Sequence, residues 1–306
     1  MHIYTPVLHS VSYAAAWPGQ AFLAVPEFLD KAMEIGYPAV ALAAKAPHVS
    51  PSTYSREARR ELKSRIADCG LQLAAMMGYT DFTCGMHRPG IPSAEMNAEY
   101  VARLCELSAD LGTRHLRIFT GYRFADHSYD LQYGELIRGL QLAGEYARQT
   151  GITLVLQNHH DIAAHYREFA WLLRELGHPH IKAAFDCWAL WLHGARGEEI
   201  RRAVHELAPW MEFTTVADYK TMPQYSYRPD RVNYQQEVSV VRATQPGEGE
   251  LDYGAFFRGL RETGYRGPVA YEMCAPLEGG GSLENLDRTA LRFLRFLQDH
   301  EQETGT

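Results

Sequence analysis

What most constrains this chain is an alternation, repeated about eight times: apolar runs of about five residues, then longer stretches whose apolar residues recur every three and four positions. The short runs suit buried strands and the longer stretches suit amphipathic helices, so the pattern reads as a repeated βα unit. Strands are expected at Ile3–Val11, Ala39–Ala43, Gln72–Met77, His115–Phe119, Thr153–Gln157, Ile181–Phe185, Met211–Ala217 and Pro268–Tyr271. Helices are expected at Pro26–Ile35, Ser52–Cys69, Ser93–Leu111, Leu131–Thr150, Tyr166–Leu176, Glu198–Leu207, Tyr253–Thr263 and Ser282–Asp299. Gly36, Gly70, Gly112, Gly151, Gly177 and Gly264 fall where helices should close, and Ser93 and Ser282 where they should be capped. Eight such pairs in 306 residues, with no GxGxxG after the first strand, predict an α/β chain folded as a closed (β/α)8 barrel, one domain over 1–306.

In that fold the functional groups sit at the carboxyl ends of the strands. Three segments end there in polar residues: LVLQNHHD at 154–161, KAAFDCWAL at 182–190 and PVAYEMC at 268–274, which bring forward Gln157, Asp186 and Glu272. Strand periodicity puts Asp186 on the face of Ala184 and Lys182, and Glu272 on the face of Ala270. It also turns Leu116 and Ile118 towards helices and Arg117 and Phe119 inward. Two carboxylates facing each other in a partly dry cavity require a cation, a proton or an arginine, and Arg117 is expected to balance them. From Asp218 to Asp252 about 35 residues lack clear periodicity and carry Tyr219, Tyr225, Tyr227, Tyr234 and Arg228. They are expected to form a long loop, 218–252, over the barrel mouth.

Charge and cysteine usage narrow the partners. With 37 acidic against 30 basic residues, the formal charge of -7 opposes a phosphate backbone, so nucleic acid is excluded as a default partner. The five cysteines are scattered without a CxxC pair, which fits free thiols in a reducing compartment. The opening MHIYTPVLHS lacks a basic region followed by an apolar run, and no stretch of 18 uninterrupted apolar residues occurs. A cytoplasmic protein without membrane contact is the expectation.

From Gly151 onward the segments LVLQNHHD, AAFDCWA, FTTVADYK and PGEGELDYGAFFRGLRETGYRGPVAYE stand with KAPHVSP and LRIFTG upstream. In these the chain resembles the xylose isomerase-like TIM barrels, the sugar phosphate isomerases and epimerases whose relatives include psicose epimerases, inosose dehydratase and endonuclease IV. The resemblance implies one divalent metal (Mn, Mg, Co or Zn) held by Glu, Asp, His or Gln, and Glu at the ends of strands five to eight. Asp186 and Glu272 match that set, while Gln157 replaces Glu and Thr215 replaces His or Gln. Glutamine keeps a coordinating oxygen but removes a charge and a base. A unit pair at about 4 Å is worth roughly 4 kcal/mol at an effective dielectric near 20, so the implied metal site is weakened. His159, which matches the His of the family's E-N-H run, is the first substitute ligand or base, and His160 the second.

The resemblance implies a metal-dependent isomerase or epimerase acting on a small carbohydrate, a keto-sugar or cyclitol, through an enediolate. Because Gln157 cannot take a proton, one main base is expected, Glu272 or His159. β-Elimination from an oxidised sugar, a lyase reaction, is the alternative, and a non-catalytic sugar-binding barrel is the reading from another class. His48, Arg117, His160, Thr215 and Asp218 are expected to bind substrate at the mouth. The endonuclease relative needs a further His three residues after the strand-six Asp, where this chain has Ala189, so DNA repair is rejected. Family practice implies a homo-oligomer, a dimer or tetramer.

Overall fold

A computed structural model of the chain describes residues 3–88, 90–159 and 161–302. Its barrel strands are β1 (Thr5–His9), β2 (Ala39–Ala43), β3 (Gln72–Met77), β4 (His115–Phe119), β5 (Thr153–Gln157), β6 (Ile181–Asp186), β7 (Met211–Val216) and β10 (Pro268–Tyr271). They pair in parallel and close in the order β1-β10-β7-β6-β5-β4-β3-β2. The expected (β/α)8 barrel is therefore the fold. Around it lie α1 (Val25–Ile35), α2 (Arg56–Asp68), α3 (Ser93–Leu111), α4 (Tyr129–Thr150), α5 (Tyr166–Leu176), α6 (Cys187–Leu192), α7 (Glu198–Leu207), α8 (Tyr253–Glu262) and α9 (Leu283–Gln302).

The helix ends follow local chemistry. Gly36, Gly112, Gly151 and Gly177 close α1, α3, α4 and α5 in the left-handed conformation that side chains resist. The start of α2 and the cap of α3 differ from expectation. The α2 helix begins at Arg56 because the hydroxyl of Ser55, not Ser52, accepts from Ala58 N at 3.2 Å. Ser93 is the first residue of α3 rather than its cap, a position held by Pro92.

Two packed layers set the site. Leu8, Val40, Leu116, Ile118, Leu154 and Leu156 belong to the large core between barrel and helices, whereas Val7, Val155, Ala184, Phe213 and Ala270 belong to a smaller cluster that fills the barrel. Side chains two positions further along each of those strands share the inward face and stand one layer higher, at the mouth. Those residues are His9, Gln157, Asp186, Thr215 and Glu272, and all five are buried. Register agrees, since Asp186 pairs with Thr215, and Ala270 pairs with both Thr215 and Val7.

The expected loop at 218–252 is instead largely an antiparallel hairpin, β8 (Asp218–Arg228) with β9 (Asn233–Thr244), paired from Asp218 with Thr244 to Arg228 with Asn233 and shifting register between Met222 and Gln224. Its base packs on the barrel, while its arm leaves Tyr234 68% and Val238 89% exposed. Neither face of the arm is buried, so the alternation that betrays a half-buried strand was never written into the sequence.

Candidate active site

Asp186 ends β6 and at the same time occupies the N-cap position of α6, so its backbone is held at a strand-to-helix corner. Its N–H donates to Asn158 Oδ1 at 2.7 Å and its carbonyl accepts from Asn158 Nδ2 at 3.1 Å, which fixes it against the end of β5. The carboxylate accepts on both oxygens, from Gln157 Nε2 on Oδ2 at 2.5 Å and from the Thr215 hydroxyl on Oδ1 at 3.0 Å. Gln157 Nε2 also donates to Thr215 Oγ1 at 3.0 Å, closing a triangle of three side chains from three adjacent strands. Burial, then the charge of Glu272, pushes the Asp186 carboxyl well above the usual range despite those two donors.

Glu272 follows β10, its N–H donating to Val216 O at 3.1 Å. Arg117 Nη2 lies 3.7 Å from Glu272 Oε1 and His9 Nε2 lies 4.0 Å from the same oxygen. Burial raises the Glu272 carboxyl, and Arg117, the Gln157 carboxamide and Lys45 pull it back. Arg117 is wholly buried, donates to Gly78 O at 3.1 Å, and stacks at 3.9 Å over the ring of Phe119 and 5.0 Å over that of Tyr79. His9 Nδ1 accepts from Val11 N at 2.8 Å, which places the ring proton on Nε2 and points it into the site. Burial, followed by Arg117, holds this imidazole well below its ordinary pKa, so it is neutral. Lys45 Nζ sits 3.7 Å over the Tyr79 ring, and burial followed by Arg117 lowers its pKa.

The expected site residues divide by what they bond. Gln157, Asp186, Thr215, Arg117 and Glu272 meet at the mouth. His159 lines its wall, its ring 4.7 Å from that of Phe119 and 4.8 Å from that of Trp188. His160 lies outside the described residues. His48 is buried with Nδ1 at 2.9 Å from Ser10 Oγ and Nε2 at 3.1 Å from Leu23 O, so both ring nitrogens hold the β1 and β2 loops together. Asp218 accepts from Gly247 N at 2.8 Å and Gly249 N at 2.9 Å on Oδ2, pinning the base of the hairpin. Sequence reasoning missed His9, Lys45, Tyr79 and Trp188; His9 lies two residues beyond the inward Val7, a signal that was present but hidden by drawing the strand through to Val11.

A family model described as xylose isomerase-like TIM barrel matches residues 29–297. The chain belongs to the xylose isomerase-like TIM barrel family. No curated protein matches this barrel by sequence. Among solved structures, D-allulose 3-epimerase from Methylomonas sp. superposes with a TM-score of 0.73 at 15% identity, covering 98% of this chain and 99% of that one. The 3-keto-D-glucoside 4-epimerase of E. coli gives 0.69 at 17% identity over 95% and 99%. The probable 3-DHS dehydratase involved in petrobactin synthesis from Bacillus anthracis gives 0.69 at 17% over 95% and 98%. At these identities the likeness carries the fold.

Within this xylose isomerase-like barrel the donors at the centre do not fit the family's divalent site. Two of its four ligand positions carry an amide and a hydroxyl, Asp186 has both oxygens occupied by Gln157 and Thr215, and Glu272 already faces the guanidinium of Arg117. The guanidinium of Arg117 acts on both buried acids, and Lys45 on Glu272 as well. Above them Phe119, His159, Trp188 and Tyr219 form a continuous aromatic wall, the last pair with ring centroids 5.6 Å apart. A cleft of about 220 Å³ opens beside Lys45 and His48. A larger cavity, about 580 Å³, lies between the starts of α3 and α4, lined by Phe82, Ile91, Glu135 and Arg138; it holds none of the clustered acids, so the chemistry belongs to the mouth.

Proposed function

We propose that this barrel is a sugar isomerase or epimerase that moves a carbon-bound proton through an enediolate, with Glu272 as its one main base and a keto-sugar or cyclitol as substrate. One observation carries the reading. His9 Nε2, Arg117 Nε and Nη2, Gln157 Oε1, Trp188 Nε1 and Glu272 Oε2 are buried at one place without a hydrogen-bond partner among the described residues. Buried polar groups are nearly always paired, so a group of them left open fits a ligand rich in hydroxyls.

The chemistry follows from charge. A carboxylate with a raised pKa is a stronger base near neutral pH, which suits Glu272 to abstract the proton beside a carbonyl. The oxygen that gains charge is stabilised by the guanidinium of Arg117 and the Nε2–H of neutral His9, both within 4.0 Å of the Glu272 carboxylate. Asp186 has both oxygens engaged and serves to hold the Gln157 amide, leaving Gln157 Oε1 to accept from a substrate hydroxyl. Glu272 then returns the proton to the neighbouring carbon, whose hydroxyl proton passes to the oxygen of the former carbonyl as the new carbonyl forms. Elimination of water from the same enediolate, the lyase reading, needs an acid on the leaving hydroxyl, a role for His159 in the mouth wall. The exposed hairpin arm supports a homo-oligomer, because a two-stranded hairpin alone is marginal in water.

The test is deuterium wash-in from heavy water over a panel of ketoses, inososes and 3-keto sugars, with and without a chelator. Exchange at one carbon that survives chelation and disappears in Glu272→Gln is the expected result. Release of water would transfer the assignment to a lyase, and sugar binding without exchange would leave a non-catalytic barrel.

A further inference from the structure

At the barrel rim the loop after β3 carries His87 and the loop after β4 carries Asp126 and His127. His87 Nδ1 is 3.2 Å from Asp126 Oδ2, His127 Nε2 is 4.0 Å from the same oxygen, and the three ligand atoms lie within 4.8 Å of one another. Ligand atoms in a tetrahedral zinc site stand about 3.3 Å apart, because Zn–N and Zn–O are about 2.0 to 2.1 Å. The first contact already has that spacing, and a small rotation of the His127 ring supplies the second. Among the described residues this is the one group of three His, Cys, Asp or Glu side chains so arranged.

A pair of ordinary surface ion pairs would leave two features unexplained. His127 Nε2 is withdrawn from solvent and lacks a hydrogen-bond partner among the described residues, although it faces the cluster. Both loops are also built rigidly around it. The buried carboxamide of Gln132 accepts from Phe124 N at 2.7 Å and donates to Phe124 O at 3.0 Å and His127 O at 3.1 Å. Phe124 in turn packs edge-on against His87, ring centroids 4.5 Å apart. Thr83 donates to Tyr122 O at 2.7 Å and accepts from Met86 N at 3.0 Å, tying the His87 loop to its neighbour.

We propose that His87, Asp126 and His127 form a zinc site that clips the two loops together at the rim. Two imidazoles and a carboxylate suit a borderline-soft dication, and the exposed side of the cluster leaves a fourth position for water. The metal of this chain then belongs to the rim rather than to the barrel centre, and the site stands independently of the reaction proposed above.

The experiment is Zn²⁺ titration of the chelator-stripped protein by calorimetry, with Co²⁺ absorption as a reporter of tetrahedral coordination. One equivalent of zinc per chain is expected, with affinity reduced about 100-fold in His127→Ala and abolished in the His87→Ala, His127→Ala double variant, at unchanged circular dichroism. Asp186→Asn should bind zinc as the wild type does. Absence of stoichiometric uptake by the wild type, uptake undiminished in the double variant, or uptake lost in Asp186→Asn would each overturn the assignment.

Discussion

Arg117 Nη2 stands 3.7 Å from Glu272 Oε1 with both side chains withdrawn from solvent, so a cation from β4 serves an acid beyond β10 across the barrel. None of the family's ligand positions lies on β4. Burying both charges is tolerable because each is the other's partner, and removing one leaves the other uncompensated.

Arg117→Met should therefore change the pH profile as well as the rate. Arg117 lowers the Glu272 pKa, so its loss lets burial raise that pKa further. A base works only when ionised, and the acid limb of kcat/KM must move to higher pH. Glu272→Gln, which removes the base, should cost about 10² to 10⁴ in deuterium exchange while leaving sugar binding measurable by calorimetry. An acid limb unmoved in Arg117→Met would show that Glu272 does not set it.

Asp186 makes the protein pH-sensitive in a definite direction. Its folded pKa is raised above the unfolded value near 3.8, so the folded state holds a proton that the unfolded state has released. Stability from this group is full below that unfolded pKa and declines as pH rises through the folded pKa. Asp186→Asn should flatten this decline, so in urea the variant gains on the wild type as pH rises above 3.8 while losing activity. Parallel stability profiles for the two proteins over that window would contradict the buried, proton-retaining state of Asp186.

Restoring the two missing ligand types tests why the centre lacks the family's donor set. Gln157→Glu places a third buried acid where the amide now donates to Asp186 at 2.5 Å, and removes that donor. Without added metal its Tm should fall by several degrees. Combined with Thr215→His, it should recover on adding Mn²⁺, a response the wild-type centre should not show in a thermal melt. Equal Mn²⁺ stabilisation in the wild type with its rim histidines replaced would mean that the native donors already suffice.

The barrel was legible because each strand must be apolar on both faces while its last inward residue is released to the mouth. That logic located Gln157, Asp186 and Glu272, and the turning of Arg117 inward between Leu116 and Ile118. His9 escaped it since β1 ends early, where the imidazole accepts from Val11 N and starts a 3-10 turn, an event that leaves no periodic trace. The short α6 directly after Asp186 has too few residues to show a period. His48 and Asp218 were expected to bind substrate, yet their bonds run to Ser10 Oγ and Leu23 O and to backbone N–H groups whose proximity only the closed fold creates, such as Gly249, 31 residues beyond Asp218.

Asp218 offers the last test, because its two roles diverge on mutation. Its Oδ2 accepts from the N–H groups of Gly247 and Gly249, and its Oδ1 from Tyr219 N at 3.0 Å, so the carboxylate closes the foot of the β8–β9 hairpin. Gly249 approaches so closely that a Cβ there would lie 1.9 Å from Asp218 Oδ1 and 2.7 Å from Tyr219 O, an overlap that backbone movement alone can relieve. Asp218→Ala leaves buried N–H groups unsatisfied, at a cost of about 1–3 kcal/mol, and Gly249→Ala forces the same elements apart. Both variants should lose Tm and become cleavable by trypsin at Lys220, Arg231 or Arg242 under conditions where the wild type resists. Sugar affinity, read at a temperature where each variant is folded, should change by less than threefold. If Asp218→Ala instead abolished sugar binding without loosening the hairpin, the carboxylate would be a ligand-binding group and the pin incidental.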